Sequence, residues 1–144
     1  ADPIELTFRC ARATWFAQPG RRLVAVEAGG RATYARMQAL LRAVALGVAP
    51  FDALDAEEAP MFAAWLEQLD RDAVAAHDLG GWLLALDCAA DRFGLLLCGD
   101  LAAVVEVIRR IPGRSEAPPQ SRITQLVAFA LSADHFALRE QLGR

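Results

Sequence analysis

Apolar residues recur three and four positions apart along most of this chain, which is the spacing of one buried face of an α-helix. The pattern predicts a first helix around Leu6–Ala17 that ends at Gln18-Pro19-Gly20, a second from Tyr34 to about Leu46 and a third that begins at Asp55. We therefore expect an all-α fold, a compact single domain over residues 1–144 with about six or seven helices. Only Leu23–Val26 has the pattern of a short extended segment.

The most apolar stretch predicts the central helix. Residues Trp82–Leu97 are interrupted by only three charged side chains, so a helix there would be buried nearly all round. The pair Gly80-Gly81 is expected to break the chain before it, and Gly99-Asp100 to end it and cap the next helix. Three shorter helices are then predicted at Leu101 to about Ile111, Ser121–Leu131 and Asp134–Leu142.

Composition and charge narrow the class of protein. A hydrophobic fraction of 55% excludes disorder, and no window approaches 18 uninterrupted apolar residues, so we expect no membrane insertion. The formal net charge of -3, without a basic stripe, predicts no nucleic-acid partner. Three cysteines without paired spacing predict reduced thiols and a cytoplasmic location. The start at Ala1 rather than Met suggests a domain cut from a longer chain.

Two carboxylates on the predicted central helix are the first candidates for chemistry. Asp87 and Asp91 lie four residues apart and therefore share one helix face. Burial of both requires partners, which leaves two interpretations. They form a metal or acid/base pair, with His77 as a further polar residue of a hydrolytic site, or they form structural salt bridges with arginine, which the spacing favours. No HExxH or CxxC motif occurs.

A segment around these carboxylates suggests a family. Asp87-Cys88-Ala89-Ala90-Asp91-Arg92-Phe93-Gly94 resembles the third-ligand helix of the HtpX and CAAX prenyl endopeptidase group of HExxH zinc metallopeptidases, where a Glu ligand precedes Asp-Arg-x-Gly. This chain keeps Asp91, Arg92 and Gly94, and has Asp87 at the ligand position. Residues Pro118–Leu126 are similar to the family's His-Pro-x-x-x-x-Arg-Ile-x-x-Leu segment.

The same resemblance aligns Phe8–Phe16 with the active-site helix of the family. Arg12 and Phe16 then stand at the two His positions and Ala13 at the catalytic Glu. A catalytic zinc needs three protein ligands and a general base, so the resemblance implies no metal, no cofactor and no enzymatic activity. Arg12 is predicted to pair with Asp87 or Asp91 in place of the metal.

The resemblance implies a pseudo-peptidase domain that serves as a protein-interaction or regulatory module of a larger scaffold or adaptor. In similar bacterial proteins, such domains accompany helical repeats. The expected partner is a protein or the rest of its own chain, and Trp15 and Phe16 are the candidate binding residues. Two alternatives stay open: a hydrolytic enzyme with a rebuilt site of Asp87, Asp91 and His77, and a purely structural domain that packs against the rest of its own chain.

Overall fold

The secondary structure of the described residues is α-helical. The computed structural model describes residues 2–18, 76–115 and 117–143, together with scattered positions between 35 and 72. Within these ranges the helices are α1 (Pro3–Ala17), α2 (Leu79–Cys98), α3 (Leu101–Arg110), α4 (Pro119–Ala130) and α5 (Ala133–Gln141). The all-α class is thus confirmed. None of these helices is long and apolar enough to cross a membrane.

Several sequence predictions lie largely outside the described residues. These are the extended segment Leu23–Val26, most of the helix predicted over Tyr34–Leu46, and the helix predicted from Asp55. The described positions inside the second of these, among them residues 41–43, are helical.

Short polar side chains fix where the helices begin. The carboxylate of Asp2 accepts a hydrogen bond from the Ile4 amide at 3.0 Å, and that of Asp100 accepts one from the Ala103 amide at 2.9 Å. The Ser132 hydroxyl accepts from the His135 amide at 3.3 Å. Each side chain satisfies a backbone donor that the first helical turn leaves without a partner, so each acts as an N-cap.

The predicted break at Gly80-Gly81 is wrong, because both glycines lie in the first turn of α2. Asp78 caps this helix by accepting from the Gly81 amide at 2.9 Å. A Cβ on Gly81 would collide with that carboxylate, so the glycine permits the cap and does not end a helix. The other end of α2 follows the prediction: Gly99 adopts a φ of 76°, the left-handed conformation that glycine tolerates best.

Among the described helices, α1 and α2 pack along each other most extensively. Phe8 of α1 lies against Gly94, and Arg12, one turn later, lies against Asp87 and Asp91. Positions increase along α1 as they decrease along α2, so the two helices are antiparallel.

The buried apolar residues form two clusters on either side of Arg12. Phe8 belongs to the first cluster, which includes residues from α2, α3 and α4, and Phe16 belongs to the second, with residues of α2. The first comprises Phe8, Leu95, Val104, Val107, Ile108, Ile123, Leu126 and Ala130, and the second Phe16, Leu79, Leu83 and Ala90.

Gly94 sets how closely α1 approaches α2, because a Cβ there would collide with the Phe8 ring. We predict that Gly94→Ala lowers the free energy of unfolding by about 1–3 kcal/mol through overpacking. Gly80→Ala is the matched control, because its Cβ would lie 3.5 Å from the Asp78 carboxylate, an ordinary van der Waals distance. It should stabilise the helix by up to about 1 kcal/mol. Urea unfolding measures both, and an unchanged midpoint for Gly94→Ala would contradict the close packing.

Candidate functional site

α1 presents one charged side chain between two aromatic rings on its buried face. Phe8, Arg12 and Phe16 follow each other at a spacing of four residues. The guanidinium carbon of Arg12 lies 5.9 Å from the Phe8 ring centroid and 5.7 Å from the Phe16 centroid, both within the range of cation–π contacts. Arg12 is only 7% exposed, so its charge requires partners inside the protein.

Those partners are the two carboxylates of α2. Arg12 Nη2 lies 2.9 Å from Asp87 Oδ1, and Arg12 Nη1 contacts Asp91 Oδ1. Both aspartates are fully buried. The predicted pairing of Arg12 is therefore confirmed, and it includes both carboxylates rather than one. Asp87 and Asp91 thus form salt bridges with arginine, which is one of the two interpretations that the sequence left open.

A second arginine reaches the same place from α4. Arg122 Nε and Nη2 each lie 2.8 Å from an oxygen of Asp91, the bidentate geometry in which a guanidinium binds a carboxylate most strongly. Arg122 is 1% exposed. This pair ties α4 to α2.

Asp87 is held from its other side by the loop between α3 and α4. Its Oδ2 accepts hydrogen bonds from the Arg114 amide, from the Ser115 amide at 2.9 Å and from the Ser115 hydroxyl at 3.3 Å. A Cβ at Gly113 would lie 2.6 Å from Oδ2, so glycine is what lets the loop come this close. We call Arg12, Asp87, Asp91 and Arg122 the buried ion network.

The charges of the buried ion network balance, with two guanidinium groups against two carboxylates. Burial, together with the nearby positive charge of Arg122, lowers the pKa of Arg12 to about 10, while Asp87 opposes that change. Burial likewise lowers the pKa of Arg122, again opposed by Asp87. Because the lowered pKa of Arg12 is still well above 7, the side chain stays charged at neutral pH. This balance avoids the large cost of an unpaired charge in the protein interior.

The other predicted site residues do not join this network. His77 is exposed, and its ring lies 6.4 Å from that of Trp82. It precedes the first residue of α2, and at about 1.5 Å per residue Asp87 lies about 12 Å further along that helix. Ala13 is exposed on α1. The structure therefore does not bring His77 together with Asp87 and Asp91.

The two candidate binding residues are largely enclosed. Phe16 is 4% exposed, and Trp15 is half-buried with its ring 5.8 Å from that of Phe93. His135 is 7% exposed, and its ring makes edge contacts with the rings of Phe129 and Phe136. In the described ranges, no group of three His, Cys, Asp or Glu side chains is arranged to hold a metal ion.

Comparison with known proteins gives no match: no protein-family model, no curated protein and no solved structure resembles this chain. The resemblance to HExxH metallopeptidases therefore depends only on the sequence segments described above.

The sequence did not predict the contacts that Asp87 and Asp91 make with residues of the C-terminal half. Arg122 was noted as part of the Arg-Ile segment, but nothing in that segment indicated Asp91, which lies 31 residues away. The Arg114 and Ser115 amides leave no sequence signal, since every residue except proline carries such a donor. Gly113 was the one available clue, as a glycine next to polar residues in a loop.

Removal of Arg12 would leave two buried carboxylates with only one guanidinium. We predict that Arg12→Ala lowers the free energy of unfolding by roughly 3–5 kcal/mol. Arg9→Ala, which breaks the exposed pair between Arg9 and Glu5 on the same helix, should cost less than about 1 kcal/mol. Urea denaturation followed by circular dichroism compares them. Equal, small losses would show that the ion network does not carry this stability.

The three cysteines should differ in reactivity. Burial raises the pKa of Cys88, opposed by Arg92, and burial raises the pKa of Cys98, whereas Cys10 is exposed. A thiol reacts as its thiolate, so Cys10 should react with a disulfide reagent at least about tenfold faster than the other two. Mass spectrometry of the labelled protein gives the order, and all three should react quickly in denaturant. Fast labelling of Cys88 in the native protein would contradict its burial.

Proposed function

We propose that this chain is a non-catalytic protein-interaction or regulatory domain with the helical framework of an HtpX and CAAX-type zinc metallopeptidase, in which Arg12 replaces the metal. The observation that carries the proposal is the Arg12 guanidinium between Asp87 and Asp91. A fixed positive charge there does what a bound cation would otherwise do, because it neutralises the two carboxylates.

The packing of α1 against α2 supports the alignment on which this proposal depends. Arg12 and Phe16, at the two His positions of the motif, are both buried on α1, and Arg12 contacts Asp87, at the position of the third ligand. Two ligands four residues apart on one helix and a third on a neighbouring helix are the arrangement that an HExxH zinc site requires. On this proposal, the residue types at these positions, and not the backbone positions, are what prevent a metal from binding.

The state of the two carboxylates favours a non-catalytic role over a rebuilt hydrolytic site. Asp87 and Asp91 have no exposed surface, and both are paired with arginine. A general base must reach a substrate or a water molecule directly, and these oxygens are instead occupied by donors of the protein. His77, the third residue of the hydrolytic alternative, lies at the far end of α2.

Exposed apolar side chains support an interaction role. Among the described residues, five of the six large apolar side chains that are exposed lie between Val127 and Leu142, and the most exposed are Leu131 at 75% and Phe136 at 62%. Contiguous apolar patches are typical of contact sites, and the side chains between Val127 and Leu142 offer exposed apolar surface for such a contact. A purely structural domain would use the same surface against the rest of its own chain, so this observation favours contact without identifying what is contacted.

The experiment restores the motif residues on the buried face. Arg12→His, Phe16→His and Asp87→Glu together should produce a protein that binds one Zn²⁺ per chain, which calorimetry and the tetrahedral absorption bands of Co²⁺ would report. The matched control, Arg9→His with Ala13→His, places two histidines at the same spacing on the exposed side of α1. The control lacks the third ligand and should bind at least about tenfold more weakly.

Two results would contradict the proposal. If the restored protein and its control bound zinc equally well, α1 and α2 would not have the geometry of a metallopeptidase zinc site. Peptide hydrolysis by the unaltered chain that disappears in an Asp91→Asn variant with a native circular-dichroism spectrum would show that the acidic pair is catalytic. The second assay does not depend on whether the restored protein folds.

A further inference from the structure

A groove lies beside α2 on a face next to that of the buried ion network. Its volume is about 270 Å³, close to the lower end of ligand pockets, which are about 300–1,000 Å³. The α2 residues that line it recur at helical spacing and form one stripe, and α4 contributes a glutamine. The described residues that line it are Gly81, Leu84, Ala85, Cys88, Arg92 and Gln125.

Arg92 is the charged residue among the described residues that line this groove, and none of the described carboxylates pairs with it. The side chain is half-buried, and its Nε is shielded from solvent without a hydrogen-bond partner. Its guanidinium carbon lies 5.4 Å from the Phe129 ring centroid. Within the described part of the chain no carboxylate pairs with it, in contrast to Arg12 and Arg122, which are both paired with aspartate.

We propose that this groove binds the carboxylate of a small aliphatic acid, with Arg92 as its charge partner. A single guanidinium matches a monoanion, and its planar donors match the two oxygens of a carboxylate. Leu84 and Ala85 supply apolar wall for an aliphatic chain, and the Gln125 amide lies at the rim as a second polar group. One cation beside apolar wall is a poor match for a phosphate dianion, which needs more donors.

Cys88 also lines the groove, and binding there is non-covalent. The side chain is 6% exposed, and burial raises the pKa of its thiol despite the nearby Arg92. A protonated thiol is a weak nucleophile. The groove does not include the buried ion network, so it is independent of the proposed function.

Hexanoate is the probe, titrated into the ¹⁵N-labelled chain and followed by amide chemical shifts. We expect saturable shifts at Gly81, Ala85 and Gln125, and binding at least about tenfold weaker for Arg92→Gln because a charge-assisted contact is lost. Arg109→Gln is the matched control, an exposed arginine of α3 that pairs with Glu106, and it should leave the affinity unchanged. Hexanamide, the neutral analogue, should bind at least about tenfold more weakly than hexanoate.

Ala85→Phe gives a second test that leaves Arg92 in place. Ala85 is exposed at the groove, so the larger side chain should fill the space and abolish hexanoate shifts without loss of the folded spectrum. Acetyl-Ala-Leu with a free carboxylate, compared with its amide, distinguishes a peptide end from a free acid as the source of the carboxylate. Binding of either the peptide or the free acid supports the site, provided that Arg92→Gln weakens it.

The proposal is overturned if hexanoate causes no shifts at the groove, if hexanamide binds as tightly, or if both Arg92→Gln and Ala85→Phe keep the wild-type affinity. If Arg92→Gln does not fold, retained affinity in Ala85→Phe alone overturns it.

Discussion

The contact of the Arg12 guanidinium with Asp87 and Asp91 is the interaction on which the packing of the described helices depends. Two carboxylates one turn apart on the most apolar helix of the chain would repel each other in a dry interior. Arg12 neutralises them from α1, and Arg122 does so from α4. The resulting pairs join three helices, and the hydrogen bonds of Ser115 to Asp87 add the loop between α3 and α4.

This arrangement also fixes the register of α1 against α2. A slip of one turn would move Arg12 toward the level of Gly94 or of Leu83, where the neighbouring side chains are apolar. It would also take the Arg12 charge away from the buried carboxylates that it neutralises. An apolar replacement of similar volume in such a position is often as stable, but it does not need one particular partner as a buried charge does. We infer that the network contributes specificity of packing in addition to stability.

The sequence predicted the features that depend on periodicity and local capping, and it missed those that depend on distant contacts. Helical spacing gave the all-α class and placed Asp87 and Asp91 on one face, and Gly99 was correctly predicted to end the central helix. The error at Gly80-Gly81 arose because glycine is a common helix terminator, whereas here the Asp78 cap stabilises the turn that contains both. The Arg12 pairing followed from the family resemblance, while the contact of Arg122 with Asp91 has no local pattern.

The neutrality of the buried ion network explains why Arg92 is available to a ligand. Arg92 follows Asp91 directly on α2, but adjacent helical residues point about 100° apart, so Arg92 faces the groove and not the network. If Asp91 were unpaired, its charge would offset much of the field of Arg92 at this short distance. Because Arg12 and Arg122 already neutralise the two carboxylates, Arg92 has no carboxylate partner at the groove within the described ranges of the chain. The same pairing that neutralises Asp87 and Asp91 thus leaves the charge of Arg92 free to act on an anion in the neighbouring groove.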